Sequence, residues 1–155
     1  MRNAHGIHMA ALSGLVAVSI GGLAFAHSGA TGIVKQRMES MKSIAGSMKT
    51  ISKLTWTKPN EARLALKKNA AAIGKHASQI VKMFPEGSIE EPSEALSAIW
   101  EKPDEFARLA EAMESRAGEL AALAPEVSSG DEIKPRLASL GETCKTCHEG
   151  FRKKK

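Results

Sequence analysis

The sequence has no tyrosine, and its two tryptophans and four phenylalanines make aromatics only 4% of 155 residues. A chain this poor in aromatics but abundant in Ala, Leu and Met favours helices over sheets, because those three lose little side-chain freedom in a helix. Cysteine occurs twice, too few for a disulfide framework. Beyond residue 27 there is no long Gly/Ser linker, low-complexity tract or convincing internal repeat, so the length is that of one domain. Acidic excess is also missing: 22 Lys plus Arg against 17 Asp plus Glu give a formal charge of +5. Basic–aromatic interleaving and nucleic-acid reading motifs are absent, which excludes a nucleic-acid partner despite the basic pI. What is present, 43% apolar and 25% charged residues, is the composition of a foldable chain and excludes wholesale disorder.

The first 26 residues read as a cleaved secretory signal peptide. Arg2 is followed by an apolar run from Met9 to Phe25 and by Ala24-Phe25-Ala26. A basic start, a short apolar centre and small residues at the cleavage site are its features. The competing reading, a retained anchor, is weakened by Ser13, Gly14, Ser19, Gly21 and Gly22 inside the run. Cleavage after Ala26 leaves a domain of residues 27–155 with no membrane association, loses Arg2, and places both cysteines in the oxidising periplasm of a bacterium.

Apolar residues recur at steps of four and three in four stretches: Ile33 to Ile51, Leu66 to Phe84, Phe106 to Ala124 and Ile133 to Phe151. Only Arg37 breaks the first stripe. A repeat near 3.5 residues is the seam of a near-parallel helical bundle. Pro59 opens the second helix and Pro85-Glu86-Gly87 closes it, while residues 85–103, with three prolines, form a loop with at most one short turn. Pro103-Asp104-Glu105 opens the third helix. Ser129 is positioned to cap the fourth, with Pro135 expected in its first turn. The expected fold is all-α, an antiparallel four-helix bundle.

Cys144-Lys145-Thr146-Cys147-His148 carries the chemistry. C-x-x-C-H is the attachment sequence of c-type haem: both thiols add across haem vinyl groups, and the adjacent imidazole ligates the iron. Cys144, Cys147 and His148 are therefore the candidate attachment and metal-ligating residues for one haem c. Three other readings have less support. A redox dithiol is expected at a helix start in a βαβ unit. A zinc site needs a fourth ligand, with only His27 and His76 left to offer. A disulfide closing so small a loop adds little stability.

With Glu149-Gly150-Phe151-Arg152-Lys153 after the motif, the last helix resembles that of the class II cytochromes c, the cytochrome c′ family. The resemblance extends over residues 30–155 and includes Val34-Lys35-Gln36-Arg37 leading to Met41, Met83-Phe84-Pro85 and Ile99-Trp100. It implies a bundle holding haem near one end. It also implies that the residue facing the iron lies four positions after the first-helix Arg, which is Met41. A Met there marks the low-spin, six-coordinate branch, whereas gas-binding members carry an apolar or aromatic residue. Met38 and Met48 are neighbouring alternatives, and Met41 could simply pack, since Met is a common gap-filler. Arg37 and Arg152 are expected near the haem propionates, which a planar guanidinium suits.

The function so implied is that of a periplasmic single-electron carrier without enzymatic activity, the alternative being a five-coordinate cytochrome c′ that binds NO or CO. Basic residues around the motif, Lys145 and Arg152 to Lys155, point to redox partner proteins acidic at the docking face. Family members often dimerise through their first two helices, where Ala45, Gly46, Ala70 and Ala71 are small enough for close contact in a homodimer.

Overall fold

Each apolar stripe falls on one long helix. The computed structural model describes residues 29–154, with α1 at Gly32–Ser52, α2 at Pro59–Ala77, α3 at Ala98–Glu101, α4 at Pro103–Leu123 and α5 at Gly130–Phe151. The expected leader and His27 lie outside the described residues. α1 packs on α2, α2 on α4 and α4 on α5, the neighbour order of an antiparallel four-helix bundle. α3 is the single turn expected within the long connection between α2 and α4.

Local chemistry sets most of the boundaries. Pro59 and Pro103 occupy first helical positions, where no N–H is needed, and Glu61, Asp104 and Glu105 place negative charge in the first turns. Ser129 is the N-cap residue of α5, but its hydroxyl donates to Glu132 Oε1 at 3.2 Å. That same oxygen accepts the Ser128 N–H at 3.1 Å, one residue before the N-cap, so Glu132 reaches back over the helix start without the reciprocal bonds of a capping box.

Two boundaries differ from expectation. α2 stops at Ala77 rather than running to Phe84, because the chain tightens into a 3-10 turn, Val81–Met83, with the Met83 N–H on Ile80 O and the Phe84 N–H on Val81 O. The Ser78 hydroxyl, donating to Lys75 O at 3.0 Å, marks the break. The apolar stripe outlasts the helix, since Ile80 is still buried. Pro135 lies inside α5, not in its first turn. Counted from Gly130 it is the sixth helical residue, where its missing N–H leaves the Asp131 carbonyl without a helical partner.

The core lies along α2 and α4. Leu66, Ile73, Leu120 and Leu140 have no exposed surface, each stabilising the fold by about 1.5–3 kcal/mol through burial. Ala70 is equally buried. It is therefore unavailable to a dimer contact, while Ala45, Gly46 and Ala71 are exposed. Gly130 has a packing reason: a Cβ there would stand 3.1 Å from Trp56 Nε1, so the α1–α2 loop rests directly on the start of α5.

One side of the bundle is built differently. α1 and α5 are not a packed pair. On α2 and α4 the stripe positions are almost all buried, yet on α1 and α5 Met41, Met48, Leu137, Cys144 and Cys147 are only half-buried. The side chains singled out for their chemistry fall on this open side.

Candidate functional site

The last turns of α5 present the attachment motif. Cys144 and Cys147 are one helical turn apart and therefore share a face; both are free thiols packed against the core cluster. The Cys144 thiol donates to Leu140 O at 3.6 Å. Burial raises its pKa, and burial, then the neighbouring Cys144, pushes Cys147 up to about 11. These are neutral thiols, the opposite of the acidic nucleophile that a redox dithiol requires. His148 is exposed beside them. Burial and the Arg152 charge lower its pKa, against an opposing pull from Glu94, so the imidazole is biased toward the neutral, lone-pair-bearing form that ligates a metal.

Zinc loses support for a separate reason. Among the described residues, no group of three or more His, Cys, Asp and Glu is placed to hold a metal ion. His76, the other histidine open to such a site among the described residues, is half-buried, with Nδ1 3.0 Å from Ser40 Oγ on α1. It ties α2 to α1 and is not beside the cysteines' helix.

Met41 lies on α1, half-buried and packed against the core. One turn before it, Arg37 is buried, an unusual position for a cation. Its Nε donates to Met83 O at 2.5 Å, and its Nη2 donates to Ser88 O at 2.8 Å and also to Ser88 Oγ. The guanidinium stacks 4.2 Å over the Phe84 ring. Ser88 is delivered by a turn in which its N–H and hydroxyl both return to Pro85 O, at 3.2 and 2.5 Å. Gly87, at φ +76°, takes the left-handed conformation this turn requires. One nitrogen of Arg37, Nη1, is buried with no partner, and burial lowers the Arg37 pKa. A buried donor without an acceptor fits an anionic group such as a propionate.

Arg37 also heads an aromatic stack. Phe84 meets Phe106 edge-on at 5.2 Å, and Phe106 meets Phe151 at 5.2 Å, linking α1, the connection after α2, α4 and the end of α5 (the order fixes one end of the bundle).

Arg152 has a partner of its own. Its Nε donates to Glu94 Oε2 at 2.7 Å, and its Nη2 reaches the same oxygen. Around this pair the chain end is stitched to the connection: Leu96 N–H to Phe151 O at 3.0 Å and Lys153 N–H to Glu94 O at 2.8 Å. Beside it, Lys145, His148, Glu149, Arg152, Lys153 and Lys154 line an open cleft of about 260 Å³. Sequence reasoning missed Ser88 and Glu94; the Pro85–Gly87 turn was a legible signal for the first, but nothing local marks the second.

The arrangement therefore places the two thiols and an imidazole on α5, and a thioether and a buried cation on α1, two helices that do not pack on each other. A family model described as Cytochrome C′ matches residues 32–152. Among curated relatives, a cytochrome c′ of Pararhodospirillum photometricum is 37% identical over 77% of this chain and 94% of its own. A cytochrome c-554 of Cereibacter sphaeroides is 38% identical over 56% of this chain and 62% of its own length. Among solved structures, the nitric oxide complex of a mutant cytochrome c prime from Alcaligenes xylosoxidans has a TM-score of 0.65, with 20% identity over 79% of this chain and 94% of that one; at that identity the likeness shows the fold.

Proposed function

The chain belongs to the cytochrome c′ family, and from that premise we propose that it is a periplasmic single-electron carrier with iron held by His148 and Met41. The cofactor of the family is haem c, bound covalently through two thioethers, and it supplies the ferric/ferrous couple. Cys144 and Cys147 are the chain's two cysteines and would hold the haem, each thiol giving its sulfur to one vinyl carbon and its hydrogen to the other. That chemistry suits thiols held neutral on one helical face. His148, adjacent in sequence, offers its imidazole from the same side.

The single observation that carries this reading is the open α1–α5 side, where Met41, Cys144 and Cys147 stay half-buried while their counterparts on α2 and α4 are sealed. Met41 provides a thioether, a ligand that favours electron transfer and raises the reduction potential. Arg37 supplies the unpaired Nη1 to a propionate, and Arg152, held by Glu94, stands beside His148. No substrate chemistry is assigned to the protein. Residues 1–26 act as the export leader, read by the mass of the exported protein, and a homodimer through α1 and α2 is read by light scattering.

Substitution at Met41 separates this from the second reading, a five-coordinate iron that binds NO or CO, which the nitric oxide complex of the related protein favours. A Met-ligated protein is indifferent to CO when reduced, and Met41→Ala makes it bind CO promptly. Prompt CO binding by the unaltered protein supports the second reading.

A further inference from the structure

Three ion pairs stand at the end of α5. Lys145 meets Glu142 at 3.3 Å, Lys153 meets Glu91 at 3.5 Å, and Arg152 meets Glu94. They differ in how firmly they are held. In the first two pairs all four side chains are exposed, so water and rotamer freedom leave them weak. Arg152 and Glu94 are only half-exposed, and two guanidinium nitrogens converge on one carboxylate oxygen.

The backbone fixes Glu94 as well. Ala95 and Arg152 form an isolated antiparallel bridge, with the N–H bonds of Leu96 and Lys153 already described on either side of it. Phe151 is buried and meets Phe106 edge-on, so the α5 side of the bridge is anchored in the core. On the other side Ser93 is buried, with its N–H on Glu90 O at 2.8 Å. The Ser93 hydroxyl accepts the Ala95 N–H at 3.3 Å. The Glu94 carboxylate is therefore delivered to a set place and does not wander over a free surface. Arg152 is the C-cap residue of α5, four positions after His148, and the two line one cleft. Both charges are felt at the imidazole: after burial, Arg152 lowers the His148 pKa and Glu94 opposes it. Arg37, by contrast, has no carboxylate partner among the described residues and keeps Nη1 open.

We propose that Glu94 and Arg152 are a fixed charge pair that sets the balance between the ferric and ferrous states of the iron held by His148. This rests on the reading of His148 as an iron ligand and deepens it. Reduction adds one electron at the iron, so a fixed cation beside the ligand favours the ferrous state and a fixed anion the ferric. Arg152 raises the reduction potential, and Glu94 limits that rise. Of the two charges Arg152 acts the more strongly at His148, so its removal has the larger effect. With its fork closed on Glu94, Arg152 serves the His148 side, and the propionate falls to Arg37.

The test is a redox titration of the holoprotein at about 20 mM salt, where screening is weak. Four proteins are compared: the parent, Glu94→Gln, Arg152→Gln and the double variant. Glutamine keeps an acceptor oxygen for Arg152 and drops the charge, so the contact survives while the field changes. At a fixed ambient potential, Glu94→Gln raises the ferrous-to-ferric ratio by about threefold, or about 30 mV. Arg152→Gln lowers it by at least as much, and the double variant lies between the two. A merely structural role moves both single variants the same way and the double variant furthest. Shifts of one sign therefore overturn the proposal, as does a Glu94→Gln ratio within about 1.5-fold of the parent, about 10 mV. A changed optical spectrum in Glu94→Gln also overturns it, because the carboxylate would then hold the ligand itself. The parent's spectrum reports iron ligation separately. A high-spin parent refutes the His148/Met41 reading, whereas parental low-spin spectra with unmoved potentials refute the charge pair alone.

Discussion

Arg37→Met removes one cation and touches three parts of the structure. The side chain holds the carbonyls of Met83 and Ser88 and the Ser88 hydroxyl, and stacks on Phe84. Losing the donor strands two partly buried carbonyl acceptors, at about 1–3 kcal/mol each. Losing the stacked cation removes about 0.5–2 kcal/mol more. Relief of the desolvation that lowers the Arg37 pKa offsets part of this. The net expectation is a loss of about 3 kcal/mol. With a guanidinium m-value of roughly 3 kcal/mol per M, the ferric holoprotein's unfolding midpoint falls by about 1 M. The same substitution removes the positive partner assigned to a propionate, so the reduction potential falls. A weakening of about 1.4 kcal/mol for the ferrous over the ferric state is about 59 mV. Arg37→Lys separates the two effects: it keeps the charge and most of the potential but loses the planar contacts and much of the stability. Guanidinium unfolding and a redox titration of each variant are the assays. A midpoint within about 0.3 M of the parent, or a potential unmoved in Arg37→Met, refutes the assignment.

Replacing Cys144 and Cys147 together by Ser abolishes covalent haem, read as haem that acidified acetone extracts; retention would sink the thioether assignment. His148→Ala keeps extraction-resistant haem but loses the parent spectrum in both oxidation states, and an unchanged spectrum would exclude His148 as the ligand. Leu120→Ala, at a site with no exposed surface, destabilises by about 2–5 kcal/mol in chemical unfolding; a loss under about 1 kcal/mol would mean the core is not centred on α2 and α4. Glu94→Gln breaks an ion pair whose side chains are 39% and 40% exposed, so its effect on stability is about 1 kcal/mol or less. Its larger expected effect is faster amide exchange at Lys153, whose N–H bonds to Glu94 O; protection equal to the parent's would show that the backbone stitch holds without the carboxylate.

The seams were legible because helices sort side chains by spacing. The residues at steps of four and three on α2 and α4 are the ones buried, down to Leu66, Ile73 and Leu120. The attachment motif was legible because its chemistry lies within five consecutive residues. What could not be read depended on contacts distant in sequence. Arg37 breaks the stripe of α1, but only the fold reveals that it reaches the carbonyls of Met83 and Ser88. Glu94 meets Arg152 across 58 residues. Ala70 and Ala71 look alike in sequence, and one step of 100° puts the first in the core and leaves the second outside. The end of α2 was misplaced because an apolar stripe continues through a 3-10 turn as readily as through an α-helix, and periodicity reports burial rather than hydrogen bonding. Pro135 was misplaced because a helix capped at Ser129 reaches it only at the sixth helical residue, past the first turn.

The central claim is an iron held between His148 on α5 and Met41 on α1. The optical spectrum of purified ferric and ferrous holoprotein at neutral pH tests it most directly. The account predicts low-spin haem in both oxidation states, with the weak far-red band of a thioether–ferric bond that disappears in Met41→Ala. High-spin spectra in both oxidation states, unchanged by that substitution, would contradict it.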